Sequence, residues 1–371
     1  MRILAIEPYF DGSHRAFLEG WRDHSRHDWT VLDLPGYKWK WRMRHASLTL
    51  AKRVDQHVDE GCEWDLLFCS DMLNLPEMLG MSRRLPRDLP SVVYFHENQL
   101  TYPSRQPRDY QYAYSNFLSA SRADRVWFNS EFHRNEFLDA IREFLRKMPD
   151  FQHLEAVDAI RQKSAVQSPG IGVWDTKSRQ LGTALRILWC ARWEHDKNPD
   201  QFFEAIRRLK AAGHPFRLGV IGPSYREIPG CFDKARVEFE AEIDHWGYQS
   251  SASDYRNVLG WADVVVSTAN HEFFGMSAVE AISAGALPLL PQRLAYPEVV
   301  GADDRDVQRE HFYMGASAEL AARLGKLVGR HETGQLWSGT RETLQTRMQH
   351  FAWSERSLEM DNSLAQLGAI E

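Results

Sequence analysis

Two glutamates, Glu272 and Glu280, flank a glycine-containing segment in the last third of the chain. The apolar, β-branched run at 263–269 before them predicts a buried parallel strand. Gly275 then opens a segment rich in Ala, Met and Glu, which predicts a helix that ends at Gly285. Backbone amides at such a helix start are unpaired donors, which suit an anion or a cluster of hydroxyls. Together with two carboxylates, which accept hydrogen bonds from vicinal hydroxyls, they favour a sugar site.

Two cations, Arg192 and Lys197, lie between a strand predicted at 185–190 and the helix predicted after it. Cations beside a helix N-terminus suit a diphosphate group. The alternative is that they form surface ion pairs with Glu194 and Asp196. An alternative stays open for the two glutamates as well, namely an amphipathic helix whose carboxylates are merely solvated.

A histidine, His96, follows an apolar strand predicted at 91–95. Ligands of parallel α/β sheets bind beyond the carboxyl ends of the strands, so this position favours a role for His96 in ligand binding or catalysis. The alternative is a structural histidine that caps the strand end.

Four cations and three aromatic residues alternate within the nine residues 37–45. We interpret this segment as exposed chain between a strand at 29–34 and a helix that begins at Ala46. Lys and Arg contact phosphates, and each aromatic ring that stacks on an unpaired base contributes about 1–3 kcal/mol, so the composition favours binding of nucleic acid. The alternative is a loop whose tryptophans pack on the domain. The residues predicted to contact nucleic acid are Lys38, Trp39, Lys40, Trp41, Arg42 and Arg44.

Strand-like and helix-like segments alternate along the chain, which predicts an α/β fold of two doubly wound domains with parallel sheets. The length of 371 residues suits two domains. We place them at 1–170 and 171–350, followed by a helical segment at 351–371 for which a return to the first domain is one option. The turn after the first strand has a single glycine, Gly12, and lacks the Gly-x-Gly-x-x-Gly pattern of dehydrogenases.

The composition is that of an ordinary globular enzyme, with 43% hydrophobic and 26% charged residues. The net charge of −6 argues against nucleic-acid binding over the whole surface, so a local patch would have to supply it. We expect neither a signal peptide nor a membrane span at the start of the chain, and no membrane partner. The four cysteines have no metal-type spacing, and a reducing cytoplasm is the simplest account of them.

The pattern Glu272-x7-Glu280, with Phe-Gly after the first glutamate, resembles the signature of retaining nucleotide-sugar glycosyltransferases. The resemblance implies the GT-B architecture, in which two Rossmann-like domains face a central cleft. Further motifs make the chain similar to the tRNA-queuosine alpha-mannosyltransferase family, over most of its length. They are E-P-Y-F-D-G-S-H at 7–14, K-W-K-W-R at 38–42, Y-F-H-E-N-Q-L-T-Y-P at 94–103, R-W-E-H-D-K at 192–197 and H-E-F-F-G at 271–275.

Members of that family transfer mannose from GDP-mannose to the cyclopentenediol of queuosine in the anticodon of tRNA-Asp. The resemblance implies that Glu272 orients sugar hydroxyls and that Glu280 binds the nucleotide ribose. Arg192 and Lys197 would neutralise the departing diphosphate, so we expect neither a cofactor nor a metal ion. The resemblance also implies that the configuration at the anomeric carbon is retained. Because no residue is an evident nucleophile for a covalent intermediate, we favour attack by the acceptor from the front face.

The resemblance does not fix the contacts to the acceptor, since no motif isolates them. From its position after a strand we assign His96 to the catalytic set, and we add Asn98, two residues later, to the contacts with the acceptor tRNA. The further donor contacts are Gly12, Gly247, Tyr248, Phe274, Gly275, Met276 and Ser277. Two alternatives stay open: a retaining GT-B enzyme for another acceptor, such as a lipid, a polysaccharide or a different modified nucleoside, and an inactive RNA-binding GT-B module. The oligomeric state is also open.

Overall fold

The computed structural model describes residues 1–103, 109–172, 182–224 and 228–367. The chain divides into two compact units, the first formed by Met1–Gly170 with Trp353–Glu371 and the second by Ile171–Ala352. Of the predicted C-terminal segment, residues 368–371 lie outside the described residues. None of the described helices has the length and apolarity needed to cross a membrane.

The first unit is built on a parallel sheet. Its strands, within the described ranges, are β1 (Arg2–Phe10), β2 (Asp28–Pro35), β3 (Leu66–Ser70), β4 (Ser91–Phe95), β5 (Arg125–Phe128) and β6 (Ser164–Val166). They lie in the order β2-β1-β3-β4-β5-β6. The connecting helices are α1 (Gly12–His24), α2 (Trp39–Asp59), α3 (Leu75–Met81), α4 (Tyr110–Arg122), α5 (Glu131–Arg146) and α6 (Leu154–Gln162). This alternation confirms the predicted α/β class.

Helices cover both faces of this sheet because successive strand residues point to opposite sides. Leu67 and Val93 belong to a core shared with α2, α4 and α5. Their neighbours Phe68 and Tyr94 belong to a second core, shared with α1. Because β1, β3 and β4 are neighbours in a parallel sheet, their carboxyl ends are adjacent, and these ends carry the turns into the helices.

Helix α2 begins at Trp39 rather than at Ala46, so the interpretation of 37–45 as irregular chain is wrong over most of its length. Met43, one helical turn after Trp39, is buried, and the Trp39 ring lies 5.2 Å from that of Tyr112 on α4. The apolar face of α2 thus extends back into the basic segment. The density of charge there obscured the helical period.

The second unit also has a parallel sheet. Its strands, in the part of the chain that is described, are β7 (Leu185–Cys190), β8 (Phe216–Ile221), β9 (Ile243–Gly247), β10 (Val264–Val266), β11 (Leu287–Pro291) and β12 (Phe312–Tyr313). Their order is β12-β11-β10-β7-β8-β9. The helices are α7 (Pro199–Ala211), α8 (Cys231–Glu238), α9 (Ala252–Trp261), α10 (Met276–Ser283), α11 (Tyr296–Val300), α12 (Arg305–His311), α13 (Ser317–Glu332) and α14 (Arg341–Gln349), and a 3-10 turn spans His195–Lys197.

Strand β10 is shorter than the strand predicted at 263–269, because polar side chains end the pairing after Val266. The hydroxyls of Ser267 and Tyr296 lie 2.7 Å apart, and Thr268 Oγ1 donates to the Lys197 carbonyl at 2.9 Å. These bonds hold the loop that leads to α10.

The last helix, α15 (Trp353–Leu367), belongs to the first unit. The buried Asp361 carboxylate accepts hydrogen bonds from the Trp21 indole at 2.8 Å and the Ser25 hydroxyl at 2.9 Å. Arg356 donates to the Ser168 carbonyl at 3.0 Å. The first unit is therefore assembled from two separate stretches of the chain.

Candidate functional site

Lys197 lies at the centre of a nearly buried charge cluster in the second unit. Its Nζ donates to the His271 carbonyl at 2.7 Å and to Glu272 Oε2 at 3.2 Å, and lies 3.2 Å from Asp196 Oδ2. Burial alone would raise the pKa of Glu272, but the positive charges of Lys197 and Arg192 hold that pKa below its ordinary value. Glu272 is therefore a charged acceptor at neutral pH.

Arg192 lies beside this cluster. Its guanidinium nitrogens lie 3.5 Å from Glu194 Oε2 and 3.7 Å from Asp196 Oδ2, which are the ion pairs of the alternative interpretation. The Arg192 side chain is 35% exposed, so it stays accessible to an anionic ligand.

Gly275 determines how the chain enters α10. Its φ of +92° is in the left-handed region, and a Cβ there would lie 2.7 Å from the Tyr296 ring, so glycine alone fits. The half-exposed Met276 and Ser277 begin the helix, and Ser277 Oγ donates to the Cys190 carbonyl at 2.7 Å. A depression at this edge of the sheet is lined by, among others, Ala191, Lys197, Ser267, Glu272, Ser277 and Tyr296.

The other residues predicted to contact the donor have different surroundings from those of Gly275, Met276 and Ser277. Phe274 is buried, and its ring lies 5.3 Å from that of Phe351, so its side chain supports the loop before α10. Gly247 ends the edge strand β9, and Tyr248 after it is exposed. Gly12 opens α1 in the first unit and has open space around it.

Glu280 is held by a residue that the sequence did not single out. Tyr255 on α9 donates its hydroxyl hydrogen to Glu280 Oε2 at 2.6 Å. Burial raises the pKa of Glu280, and this hydrogen bond opposes the rise.

The first unit places His96 at the carboxyl end of β4, next to three other titratable side chains. The rings of His96 and His14 lie 4.0 Å apart between centroids. Glu7 Oε2 lies 3.2 Å from His14 Nδ1, and the His96 amide donates to Asp71 Oδ1 at 3.0 Å. We call Glu7, His14, Asp71 and His96 the β1-β4 cluster.

Burial and charge set different protonation states within the β1-β4 cluster. Burial alone lowers the pKa of His14, but the Glu7 carboxylate outweighs it and raises that pKa to about 9. Burial raises the pKa of Asp71 to about 8, and burial together with the His14 charge lowers the pKa of His96 far below its ordinary value. At neutral pH a charged imidazolium therefore lies against a neutral imidazole.

Glu7, His14 and His96 also form the one group in the described ranges whose ligand atoms converge closely enough for a metal ion. The Glu7 carboxylate, however, also accepts hydrogen bonds from the Tyr9 amide at 2.8 Å and the Ser70 hydroxyl at 2.9 Å. With the His14 charge, these partners satisfy the carboxylate.

Sequence reasoning missed Glu7 and Asp71 as site residues although each carries a signal. Glu7 interrupts an apolar strand near its carboxyl end, and Asp71 follows the buried strand β3. Buried ionisable residues at such positions indicate a site.

Asn98, which is predicted to contact the acceptor, is fully buried. Its Oδ1 accepts hydrogen bonds from the amides of Leu100 at 3.1 Å and Thr101 at 3.0 Å. The side chain shapes the turn after β4.

The start of α2 presents an exposed basic and aromatic surface, which we call the α2 surface: Tyr37, Lys38, Lys40, Trp41 and Arg44. The Tyr37 and Trp41 side chains are 58% and 61% exposed. Lys38 Nζ lies 5.2 Å from the Tyr37 ring centroid, so cations and rings share this surface.

Trp39 and Arg42, which were also predicted to contact nucleic acid, make contacts within the first unit. Arg42 Nε donates to the Pro35 carbonyl at 2.8 Å. Trp39 is half-buried against Tyr112, over whose ring the Arg44 guanidinium lies at 5.3 Å.

Family models match both units. A model described as tRNA-queuosine alpha-mannosyltransferase N-terminal matches residues 2–171, and one described as Glycosyl transferases group 1 matches residues 174–334. The tRNA-queuosine alpha-mannosyltransferase of Drosophila melanogaster is 34% identical over 311 residues, which cover 80% of this chain and 81% of that protein.

More distant proteins share parts of the sequence or the fold. A GDP-mannose-dependent alpha-(1-6)-phosphatidylinositol dimannoside mannosyltransferase of Mycobacterium tuberculosis is 28% identical over 196 residues, 51% of this chain and 45% of that protein. Anabaena HepE in complex with UDP-glucose matches at TM-score 0.69 and 16% identity, over 99% of this chain and 100% of that one. A Rickettsia africae glycosyltransferase matches at TM-score 0.67 and 12% identity, over 100% and 99%. The chain thus has the two-domain α/β fold of GT-B glycosyltransferases.

Proposed function

The chain belongs to the tRNA-queuosine alpha-mannosyltransferase family of hexosyltransferases, and we propose that it transfers mannose from GDP-mannose to the cyclopentenediol of queuosine in the anticodon of tRNA-Asp. The observation that carries this function is the 34% identity to the Drosophila enzyme over 80% of the chain. We place the activity in the cytoplasm, which agrees with the four free cysteine thiols.

The donor is bound by the second unit. The M. tuberculosis relative, named as GDP-mannose-dependent, supports GDP-mannose as that donor. Glu272 orients mannose hydroxyls, the amides of Met276 and Ser277 receive the diphosphate at the start of α10, and Glu280 binds the ribose. Gly247 and Tyr248 hold the guanine.

The reaction retains the configuration at the anomeric carbon by front-face attack. The bond from that carbon to the β-phosphate oxygen breaks as the bond to the acceptor oxygen forms, and the acceptor proton passes to the departing diphosphate. Arg192 and Lys197 stabilise the charge that develops on the diphosphate, so the mechanism needs no metal ion.

The acceptor is bound by the first unit. The α2 surface contacts tRNA phosphates and unpaired bases, as its exposed cations and rings allow. The β1-β4 cluster lies at the strand ends and contacts the modified nucleoside through His96.

Labelled GDP-mannose tests this function with two forms of tRNA-Asp, one carrying queuosine and one carrying guanosine at the same position. We expect label on the queuosine form alone. Equal labelling of both forms, or labelling of neither with transfer to a lipid or a free sugar instead, would rule out queuosine as the acceptor.

A further inference from the structure

We propose that Tyr255 is a positioning residue, which holds the Glu280 carboxylate in the orientation that binds the nucleotide ribose. Its hydroxyl donates to Glu280 Oε2 at 2.6 Å. Glu280 Oε1 makes no hydrogen bond to the described part of the chain. One oxygen is thus fixed and the other is left for a ligand hydroxyl.

The hydrogen bond orients a side chain whose helix is anchored by other contacts. Ser277 Oγ ties the first turn of α10 to the Cys190 carbonyl at 2.7 Å. Further along the helix, the side chains of Val279 and Ile282 are buried in the second unit. Loss of the Tyr255 hydroxyl would therefore leave α10 in place and free the Glu280 carboxylate to rotate.

The surroundings of this pair contain few other titratable groups. Cys190, at the end of β7, has its Sγ 3.8 Å from the Tyr255 hydroxyl. On α14, which also packs against α10, the Arg347 guanidinium is engaged elsewhere, by the carbonyls of Glu298 and Val299. Tyr255 is thus the direct partner that controls the charge and direction of Glu280.

GDP binding tests this role without any tRNA, by calorimetry on the wild type, Tyr255→Phe, Glu280→Ala and the double variant. This inference rests on the proposed function, in which Glu280 binds the ribose of GDP. We expect Tyr255→Phe to raise the Kd for GDP about tenfold, as loss of a hydrogen bond to a charged group predicts. In the Glu280→Ala background the same change should have less than about a twofold effect, because the acceptor of its hydrogen bond is gone.

The pH dependence gives a readout that a purely structural role would not change. The Tyr255 hydrogen bond lowers the pKa of Glu280, so Tyr255→Phe should raise that pKa. When the solution is acidified, GDP binding by the variant should therefore begin to weaken at a higher pH than GDP binding by the wild type. The turnover number at saturating donor should stay within about twofold of wild type. Tyr114→Phe, which removes an exposed hydroxyl from the first unit, serves as the control with unchanged Kd.

An unchanged Kd in Tyr255→Phe, or an equal loss in both backgrounds, would overturn the positioning role. If the wild type binds UDP but not GDP, the proposed donor is wrong, and the same four proteins test Tyr255 with UDP. Binding of neither nucleotide would overturn both.

Discussion

At the scale of single residues, the second unit combines charges that would each be unfavourable alone. Lys197 is 6% exposed, and a buried cation needs carboxylate partners, which Asp196 and Glu272 supply. The same pairing holds Glu272 in its charged form. The groups assigned to the diphosphate and to the sugar therefore depend on each other.

Replacement of the two glutamates should separate their roles. Glu280→Ala should weaken GDP-mannose binding, and Glu272→Ala should lower turnover more than donor affinity. Each loss of a charged hydrogen bond should cost about 2 kcal/mol, roughly thirtyfold. Steady-state kinetics with varied GDP-mannose measures both effects, and unchanged kinetics in both variants would contradict the site.

Arg192→Ala should lower the turnover number at least tenfold, because it removes a positive charge from the departing diphosphate. The melting temperature should change little, since the side chain is partly exposed. Arg208→Ala, which removes a more exposed arginine of the same unit, is the control.

Addition of EDTA should leave wild-type activity intact. A loss of activity that a divalent ion restores would show that a metal takes part.

His14 should titrate with a pKa of about 9, which NMR of the imidazole signals can follow. Because the folded-state pKa lies above the ordinary 6.5, this group stabilises the fold fully below pH 6.5, and the contribution is lost as pH rises through about 9. In Glu7→Gln the pKa of His14 should fall, since burial then acts without the neighbouring carboxylate. A pKa near 9 in that variant would assign the shift to another group.

At the scale of elements, helix and strand bounds were predicted best where the apolar periodicity and the turn or capping residues indicate the same bounds. The strands at Ser91–Phe95 and Leu185–Cys190 and the stop of α10 before Gly285 are as predicted. The start of α2 was missed because the cations between Trp39 and Met43 break up the apolar pattern. The partner of Glu280 could not be predicted, since Tyr255 lies on another helix and only the fold brings the two together.

The α2 surface should bind tRNA through exposed cations. Replacing Lys38, Lys40 and Arg44 together by alanine should weaken tRNA binding and leave GDP-mannose binding nearly unchanged. The slope of log K against log salt should become shallower by roughly 2 to 3, since three phosphate contacts are lost. Adding Arg42→Ala should perturb the fold as well, because Arg42 bonds to the Pro35 carbonyl.

A control variant carries the same loss of charge elsewhere in the first unit. Lys52, Arg84 and Arg146 are exposed and lie outside residues 37–45. Their joint replacement by alanine should leave the salt slope close to wild type. An equal change in both triple variants would mean that tRNA binding follows net charge and not the α2 surface.

At the scale of the whole molecule, α15 completes the first unit. Asp361→Ala would leave the buried Trp21 indole without its acceptor, and we expect a loss of about 2 kcal/mol in the free energy of unfolding. Asn362→Ala, at the exposed neighbouring position, should stay within about 0.5 kcal/mol. Urea unfolding followed by tryptophan fluorescence compares the two, and equal stabilities would contradict the structural role of α15.

The return of α15 has a consequence for how the chain acquires its structure on the ribosome. Residues 171–352 emerge before Trp353, so the second unit can fold while the first still lacks a helix. Until then, the core that includes Met360 and Leu364 lacks these side chains, and Phe17 lacks its contact with the Trp353 ring, which lies 5.9 Å away in the finished fold. The nascent chain therefore exposes an aggregation-prone apolar surface throughout synthesis of the second unit. The unit whose translation begins first is the last to complete its fold.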